Sequence, residues 1–557
     1  MKASDLFVRC LENEGVEYIF GIPGEETNDL MMSLQESKRI KFVLVRHEQA
    51  AAFMADVYGR LTQKVGICLS TLGPGATNLA TGVANANMDR SPLLAITGQT
   101  STDVLHKESH QNMDVITMFK PITKWNWSIR NPDDIPEITR RAFKISLDEK
   151  AGAVHLEIPQ DIAKKNSDIK PIRFQGFLRS RPNQDSVKAA AKLIYEARAP
   201  ILLVGNGCIR GNASPYLRKF VEQTGICSMN TFMAKGVISD KSERHLQTIG
   251  IKEADHAQIA MRESDLVIAV GYDLVEYSPK NWNGDLKKRI IHIDFTPAEV
   301  DTYYPPTVEI AADIEYTIDA ILAEISEKEE KKQNSYFERF SRHEIPLVFK
   351  NVKQEVLWRI GRYDNDLSYP VKPEKLVSDV RNALGEDDIV ISDVGAHKLW
   401  VAKVFKSYSP NTCIITNGFC SMGFALPGAI AAQLGKPKQK VIAMCGDGGF
   451  LMNVQELETA VRLKLPVIVV VWCDSDLGMI SLKQINEFGR SAFTRFNNPD
   501  FVKLAQSFGA DGYDVKSTIE LPEILEKATE SKDVPVVISV SVDYSRNRVL
   551  LDDSLIV

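Results

Sequence analysis

The sequence predicts an α/β chain of three doubly wound, parallel-sheet domains, on three observations. Short apolar runs recur along most of the 557 residues, separated by helix-length segments. The runs are near-continuously apolar rather than alternating, as parallel strands buried on both faces are. Two polar stretches interrupt the rhythm, and a chain of this length exceeds what one hydrophobic core serves.

The chain opens with MKASDLFVRCLENEG, which reads as an amphipathic helix, with no apolar run of the kind that marks a signal peptide. Strand-like runs follow at Lys41–Val45, Val65–Ser70, Pro92–Thr97, Ala153–Ile158, Ile201–Val204, Leu266–Val270 and Ile290–Asp294. They resume at Ile389–Ser392, Cys413–Thr416, Val441–Cys445, Val467–Trp472 and Val536–Val542. One polar stretch runs from about Lys164 to Asp185 and carries Pro171 and Pro182. The other, SEKEEKKQNS at 326–335, is a charge run, and irregular chain is expected from it to about Pro373. Charge runs are commonly solvated helix faces, but these lie between α/β blocks and read as linkers. The expected domains are therefore 1–165, 186–330 and 370–557.

Composition narrows the function. A net charge of −6 and a pI near 6.0 give no basic footprint for nucleic acid. No stretch approaches the roughly 20 apolar residues of a membrane helix. The eight cysteines are scattered, form no CxxC pair and mostly sit in apolar runs, which suits free thiols in a reducing cytoplasm.

The most informative segment is Gly446-Asp447-Gly448-Gly449, at the end of the run VIAMC. The helical pattern NVQELETAVRLKL follows, then a second run, VIVVVW, ending in Cys473-Asp474-Ser475-Asp476. Two adjacent parallel strands would present Asp447 and Asp474 at one carboxyl edge, where open α/β sheets bind ligands. Mg²⁺ takes hard oxygen ligands and shares them with phosphates, so two carboxylates and the backbone carbonyl of Asp476 form a candidate metal set. Glycines beside Asp447 let the backbone approach a diphosphate. A lone GDG is as often a plain turn; the second acidic strand end is what strengthens it.

In the N-terminal third, FVLVRHEQAAAFMADVYGRLT supplies a strand and then Glu48 at the start of a helix. The helix dipole alone would explain an acidic residue there. Gly73-Pro74-Gly75-Ala76 opens the next helix but lacks the lysine and Ser/Thr of a phosphate-binding P-loop. Gly205-Asn206-Gly207 is only a partial dinucleotide fingerprint.

Together these segments resemble the thiamine-diphosphate (ThDP) enzymes over nearly the whole chain, with pyrimidine-binding, central and diphosphate-binding domains. The resemblance implies that Asp447, Asp474 and the Asp476 carbonyl hold Mg²⁺, and that Glu48, in Arg46-His47-Glu48-Gln49, faces N1′ of the cofactor's aminopyrimidine. It differs from the common pattern in placing Cys473-Asp474 where two asparagines usually stand. It further implies cofactor contacts from Gly395, Ala396, His397, Cys420, Met422, Gly446, Gly448, Gly449, Met479 and Ile480. Met422 would be the apolar wedge under the cofactor, Cys420 would offer its carbonyl, and Gly395-Ala396-His397 would meet the diphosphate. From residue type alone, Met422 is also ordinary core and His397 an ordinary surface residue.

Within that family the chain is most similar to acetolactate synthases, particularly the catabolic, FAD-independent type. His110-Gln111-Asn112-Met113-Asp114, the segment GYDLVEYSPK at 271–280, the metal run with its Asp474, and Val542-Asp543-Tyr544-Ser545 carry this similarity. Gln111 is the candidate for pyruvate recognition, though an amide in a loop reads equally as a plain polar residue. The segment TFMAKG at 231–236 is instead similar to the FAD-binding synthases, so sequence leaves the flavin open. Lys483 stands where the biosynthetic enzymes carry a Trp favouring 2-ketobutyrate. The resemblance thus implies condensation of two pyruvates to 2-acetolactate by a homodimer or homotetramer with sites between chains. The FAD-dependent biosynthetic synthase and other ThDP enzymes, such as a pyruvate oxidase or a sulfoacetaldehyde acetyltransferase, are the alternatives.

Overall fold

The computed structural model describes residues 1–174, 176, 179–250, 256–330 and 345–550. Three six-stranded, wholly parallel sheets carry the fold. The first holds β1 (Tyr18–Gly21), β2 (Lys41–Leu44), β3 (Gly66–Ser70), β4 (Leu93–Gln99), β5 (Trp125–Ser128) and β6 (Ala153–Pro159), in the order β2-β1-β3-β4-β6-β5. The central sheet holds β7 (Pro200–Val204), β8 (Cys227–Asn230), β9 (His245–Thr248), β10 (Leu266–Val270), β11 (Arg289–Asp294) and β12 (Val308–Ala311), ordered β12-β11-β10-β7-β8-β9. The last holds β13 (Ile389–Ser392), β14 (Cys413–Ile415), β15 (Val441–Gly446), β16 (Ile468–Cys473), β17 (Asp511–Val515) and β18 (Val536–Ser541), ordered β14-β13-β15-β16-β18-β17. Counted within each sheet, the first and last therefore share one strand order. The central sheet has the doubly wound order of dinucleotide-binding folds.

The apolar runs became strands because their side chains meet helices on both faces. β3, β4, β6, β7 and β10 are buried at every residue. The N-terminal amphipathic segment is a helix, Ala3–Asn13, that buries Leu6, Phe7, Cys10 and Leu11. Six strands escape the sequence pattern: β1, β5, β8, β9, β12 and β17. Four of them, β5, β9, β12 and β17, are sheet edges. An edge strand such as β17 buries only its last residue, so polar side chains break up the apolar run.

The second linker expectation needs correction. The charge run begins inside the helix Ile314–Glu330, and its remainder lies outside the described residues. The chain expected to be irregular up to Pro373 contains the helix Leu347–Gly361, which buries Phe349, Val352, Val356 and Ile360 against the helix His256–Glu263 and β9. Its four apolar positions recur at helical spacing, which the preceding charge run obscured.

The first and last sheets share one core. The helix Glu48–Thr62 lies against the helix Ala425–Gly435, with Phe53 and Phe424 meeting edge to face at 5.6 Å. Beside them Arg60 pairs with Asp56 at 2.6 Å and Asp89 at 2.7 Å. Asp89 also accepts the N–H groups of Asn417 and Gly418 at 3.2 and 2.6 Å. All eight cysteines are free thiols, six of them buried.

Candidate active-site cleft

β15 and β16 run side by side in register, Gly446 opposite Trp472, so the turns after them emerge at one edge. The Asp447 carboxylate gathers that edge: its Oδ2 accepts from Asp474 N (3.1 Å), Ser475 N (2.8 Å) and Asn498 Nδ2 (2.7 Å). Its Oδ1 accepts only the Gly448 N–H, at 2.8 Å, among the described residues. Burial, and then the neighbouring charges of Asp447 and Asp476, push the Asp474 carboxyl up to about 7. Oδ1 of Asp476 is buried with no hydrogen-bond partner among the described residues.

Three helices begin at this place: Ala396–Val404, Asp447–Met452 and Gly478–Phe488. Their first residues line one cleft of about 430 Å³. Helix N-termini present unpaired N–H groups and positive dipole ends, so three of them make an anion cradle. Glycine is required where the cradle is tightest. A Cβ on Gly446 would stand 3.1 Å from the His397 ring, and one on Gly449 would stand 3.2 Å from the Asp393 carboxylate. Burial lowers the His397 imidazole to about 3, so the ring is neutral, and its Nε2 has no partner among the described residues.

All thirteen residues expected to contact the cofactor line this one cleft: Gly395, Ala396, His397, Cys420, Met422, Gly446, Asp447, Gly448, Gly449, Asp474, Asp476, Met479 and Ile480. Cys420 adopts a left-handed backbone, φ 57°, which turns the loop carrying Met422 back into the cleft. Asp393 holds that loop by accepting from Gly423 N at 3.0 Å, and burial raises its carboxyl to about 6.

Glu48 and Gln111 are not among the cleft residues. They meet instead at the turn Gly73-Pro74-Gly75, after β3. Glu48 is buried and accepts from Asn78 Nδ2 at 3.0 Å, and a Cβ on Gly75 would lie 3.4 Å from its carboxylate. Gln111 is exposed, with a left-handed φ of 57°; a Cβ on Gly73 would lie 2.8 Å from its carbonyl oxygen. Within one chain the expected site residues thus fall in two separate groups.

Sequence reading missed Lys398, Trp472, Leu477 and Tyr544, which also line the cleft, and Asp393 and Asn498, which brace it. Lys398 had a local signal, since it follows His397 directly. Asn498 had none: it reaches Asp447 from 51 residues away.

Comparison with known proteins identifies the family of the three domains. The chain matches the thiamine pyrophosphate enzyme family in three stretches: the N-terminal TPP binding domain over residues 1–118, the central domain over 187–321 and the C-terminal TPP binding domain over 393–540. An acetolactate synthase of Bacillus subtilis (strain 168) is 36% identical over 562 residues, covering 100% of this chain and 95% of the relative. A probable acetolactate synthase large subunit of Methanococcus aeolicus is 34% identical, covering 98% and 92%. A catabolic acetolactate synthase of Raoultella terrigena is 31% identical, covering 98% and 96%. With ThDP-enzyme domains along its length and full-length similarity to these relatives, the chain belongs to the acetolactate synthase family of thiamine pyrophosphate enzymes.

Proposed function

We propose that the chain decarboxylates pyruvate and joins it to a second pyruvate, giving 2-acetolactate and CO₂, with ThDP and Mg²⁺ bound in the cleft. The observation that carries this is the convergence of three helix starts and the paired acids Asp447 and Asp474 on one cleft. The donor set suits Mg²⁺ rather than a metal held by protein alone. Among the described residues, no group of three or more His, Cys, Asp and Glu side chains could hold a metal ion. Two carboxylates and a carbonyl leave the remaining positions to diphosphate oxygens and water, the usual arrangement for Mg²⁺. A cation between Asp447 and Asp474 would also relieve the repulsion that raises the Asp474 carboxyl.

When bound, ThDP supplies a carbon nucleophile that adds to the keto carbon and takes up the electron pair left by CO₂. The chain's residues bind, orient and move protons around it. Asp447, Asp474 and the Asp476 carbonyl would hold Mg²⁺, and Gly395, Ala396, His397, Gly448, Gly449, Met479 and Ile480 would surround the diphosphate. Met422 would support the ring system, Glu48 would share a proton with N1′, and Gln111 would donate to the substrate. Since Glu48 and Gln111 stand apart from the cleft of their own chain, a second copy would bring them, in a homodimer or homotetramer.

A reaction without flavin is the better-supported form. At the carboxyl edge of the central sheet the two glycine turns close on each other: Gly207 N donates to Gly271 O at 2.8 Å, and a Cβ on Gly205 would lie 2.3 Å from that oxygen. Glu276 seals the junction by accepting from Asn206 N at 2.9 Å and from the Thr231 hydroxyl. The cavity beside it, lined by Arg60, Arg90 and Arg210, measures about 110 Å³, small for a flavin dinucleotide. Lys235 of the TFMAKG segment is buried and donates to Ala402 O at 3.1 Å, joining the central sheet to a cleft helix.

The purified protein, given ThDP, Mg²⁺ and pyruvate, should release CO₂ and acetolactate in equal amounts. Acetaldehyde in place of acetolactate would overturn the carboligase reading. A stoichiometric flavin whose removal stops acetolactate formation would overturn the flavin-free form.

A further inference from the structure

Among the described residues, Lys398 is a buried cation without a counter-charge. The residue is 6% exposed and lines the cleft. The ammonium donates to Asn417 Oδ1 at 3.2 Å and to Cys420 Sγ at 3.1 Å, and lies 5.7 Å from the centre of the Phe232 ring. No salt bridge from it to a carboxylate is found among the described residues. An amide oxygen, a weak sulfur acceptor and an aromatic face solvate a charge only in part, and an ammonium has three donors to satisfy. Burying such a charge is costly unless an anion meets it. The fold keeps it in place: its neighbour Asn417 is itself held by Asp89 and by Glu276 O, at 2.9 Å.

The anion has to arrive with the ligands. The acids of the cleft, Asp447, Asp474 and Asp476, belong to the candidate metal set and not to Lys398. A small 2-oxo acid brings one negative charge, on the carboxylate beside its reacting carbonyl. We propose that Lys398 is the residue that receives the substrate carboxylate in this cleft, and so selects 2-oxo acids over their esters and amides. This rests on the pyruvate reading given above. Cys420 and Asn417 act through Lys398, as positioning residues that aim the ammonium.

The test uses the ThDP- and Mg²⁺-loaded enzyme and oxamate, an unreactive analogue of pyruvate with the same carboxylate. Titration calorimetry should show oxamate binding weakened roughly 10- to 100-fold by Lys398→Met, the range for losing a charged hydrogen bond. Lys398→Arg should restore most of it. Methyl pyruvate, which has no free carboxylate to lose as CO₂ and so is not turned over as donor, should compete with pyruvate equally weakly in wild type and Lys398→Met. The ThDP and Mg²⁺ needed for half-activity should not change; a merely structural lysine would shift those cofactor requirements as well. Lys398→Gln, which keeps a donor toward Asn417, should behave as Lys398→Met does if that variant folds poorly. Equal oxamate affinity in wild type and the neutral variants overturns the inference, as does a wild type that binds no oxamate. Weakened ThDP binding with oxamate affinity unchanged also overturns it, by assigning the ammonium to the diphosphate. Lys398-dependent oxamate binding in a wild type that makes no acetolactate from pyruvate upholds the carboxylate site and defeats the pyruvate reading instead.

Discussion

Glu48 and Asp474 can each be probed by exchanging one oxygen for nitrogen. Glu48→Gln keeps the side chain's size but removes its proton acceptor. Turnover should fall by roughly 10²–10⁴-fold while ThDP still binds, as followed by quenching of protein fluorescence. Near wild-type turnover would remove Glu48 from the chemistry. At Asp474 the informative contrast is Ala against Asn. Asn retains an oxygen and should bind Mg²⁺ somewhat more weakly; Ala should raise the Mg²⁺ needed for half-activity clearly further, at saturating ThDP. If neither variant needs more Mg²⁺ than wild type, the metal assignment fails. Asp447 and Asp474 were legible in sequence because a spacing of 27 residues puts them on adjoining strand ends, whereas Glu48 was legible only through the family resemblance. Asp393 and Asn498 were not, since nothing local distinguishes a buried carboxylate or amide from a surface one. Their roles arise only when distant loops fold onto the cleft.

Elements are joined by groups whose protons matter. Glu456, on the helix Glu456–Arg462 that follows the Asp447 turn, accepts from Arg46 N and His47 N, both at 3.0 Å. It thereby ties the start of the Glu48 helix to the diphosphate-side sheet. Burial raises the Glu456 carboxyl to about 7, well above the usual carboxylate range. A carboxyl raised in the folded state favours folding most when protonated. Its contribution is full below the unfolded value of about 4.5 and is lost as pH rises through about 7. Wild-type Tm should therefore fall more between about pH 5 and about pH 8 than that of Glu456→Gln, which cannot ionise. Parallel slopes in the two proteins would show that the carboxyl does not titrate in that window. The strands read correctly from sequence were mainly the central ones, where burial on both faces gives an unbroken apolar run. The edge strands β5, β12 and β17 were hidden by the polar residues that their exposure permits, and the helix Leu347–Gly361 by the charge run before it.

For the whole molecule, the separation of the two groups of site residues makes a strong prediction. If Glu48 of one chain completes the cleft of another, Glu48→Gln and Asp447→Ala chains, each inactive alone, should complement one another. Half of randomly reassociated dimers would be mixed, and each would hold one site with both residues intact, so about a quarter of wild-type activity should return on mixing. No recovery after verified subunit exchange would place the site within one chain. The shared strand order of the first and last sheets has a different consequence, for the making of the chain. In both, the third strand leads into a glycine-rich turn and a helix, Gly73-Pro74-Gly75 in one and Gly446-Asp447-Gly448 in the other. Sheets wired alike within one polypeptide can compete for each other's strands while both are unfolded. During synthesis the competition is avoided, because domains fold as they emerge and the central sheet, wired differently, comes between them. Dilution from denaturant releases both at once, so nascent folding should yield more native protein than refolding of the finished chain.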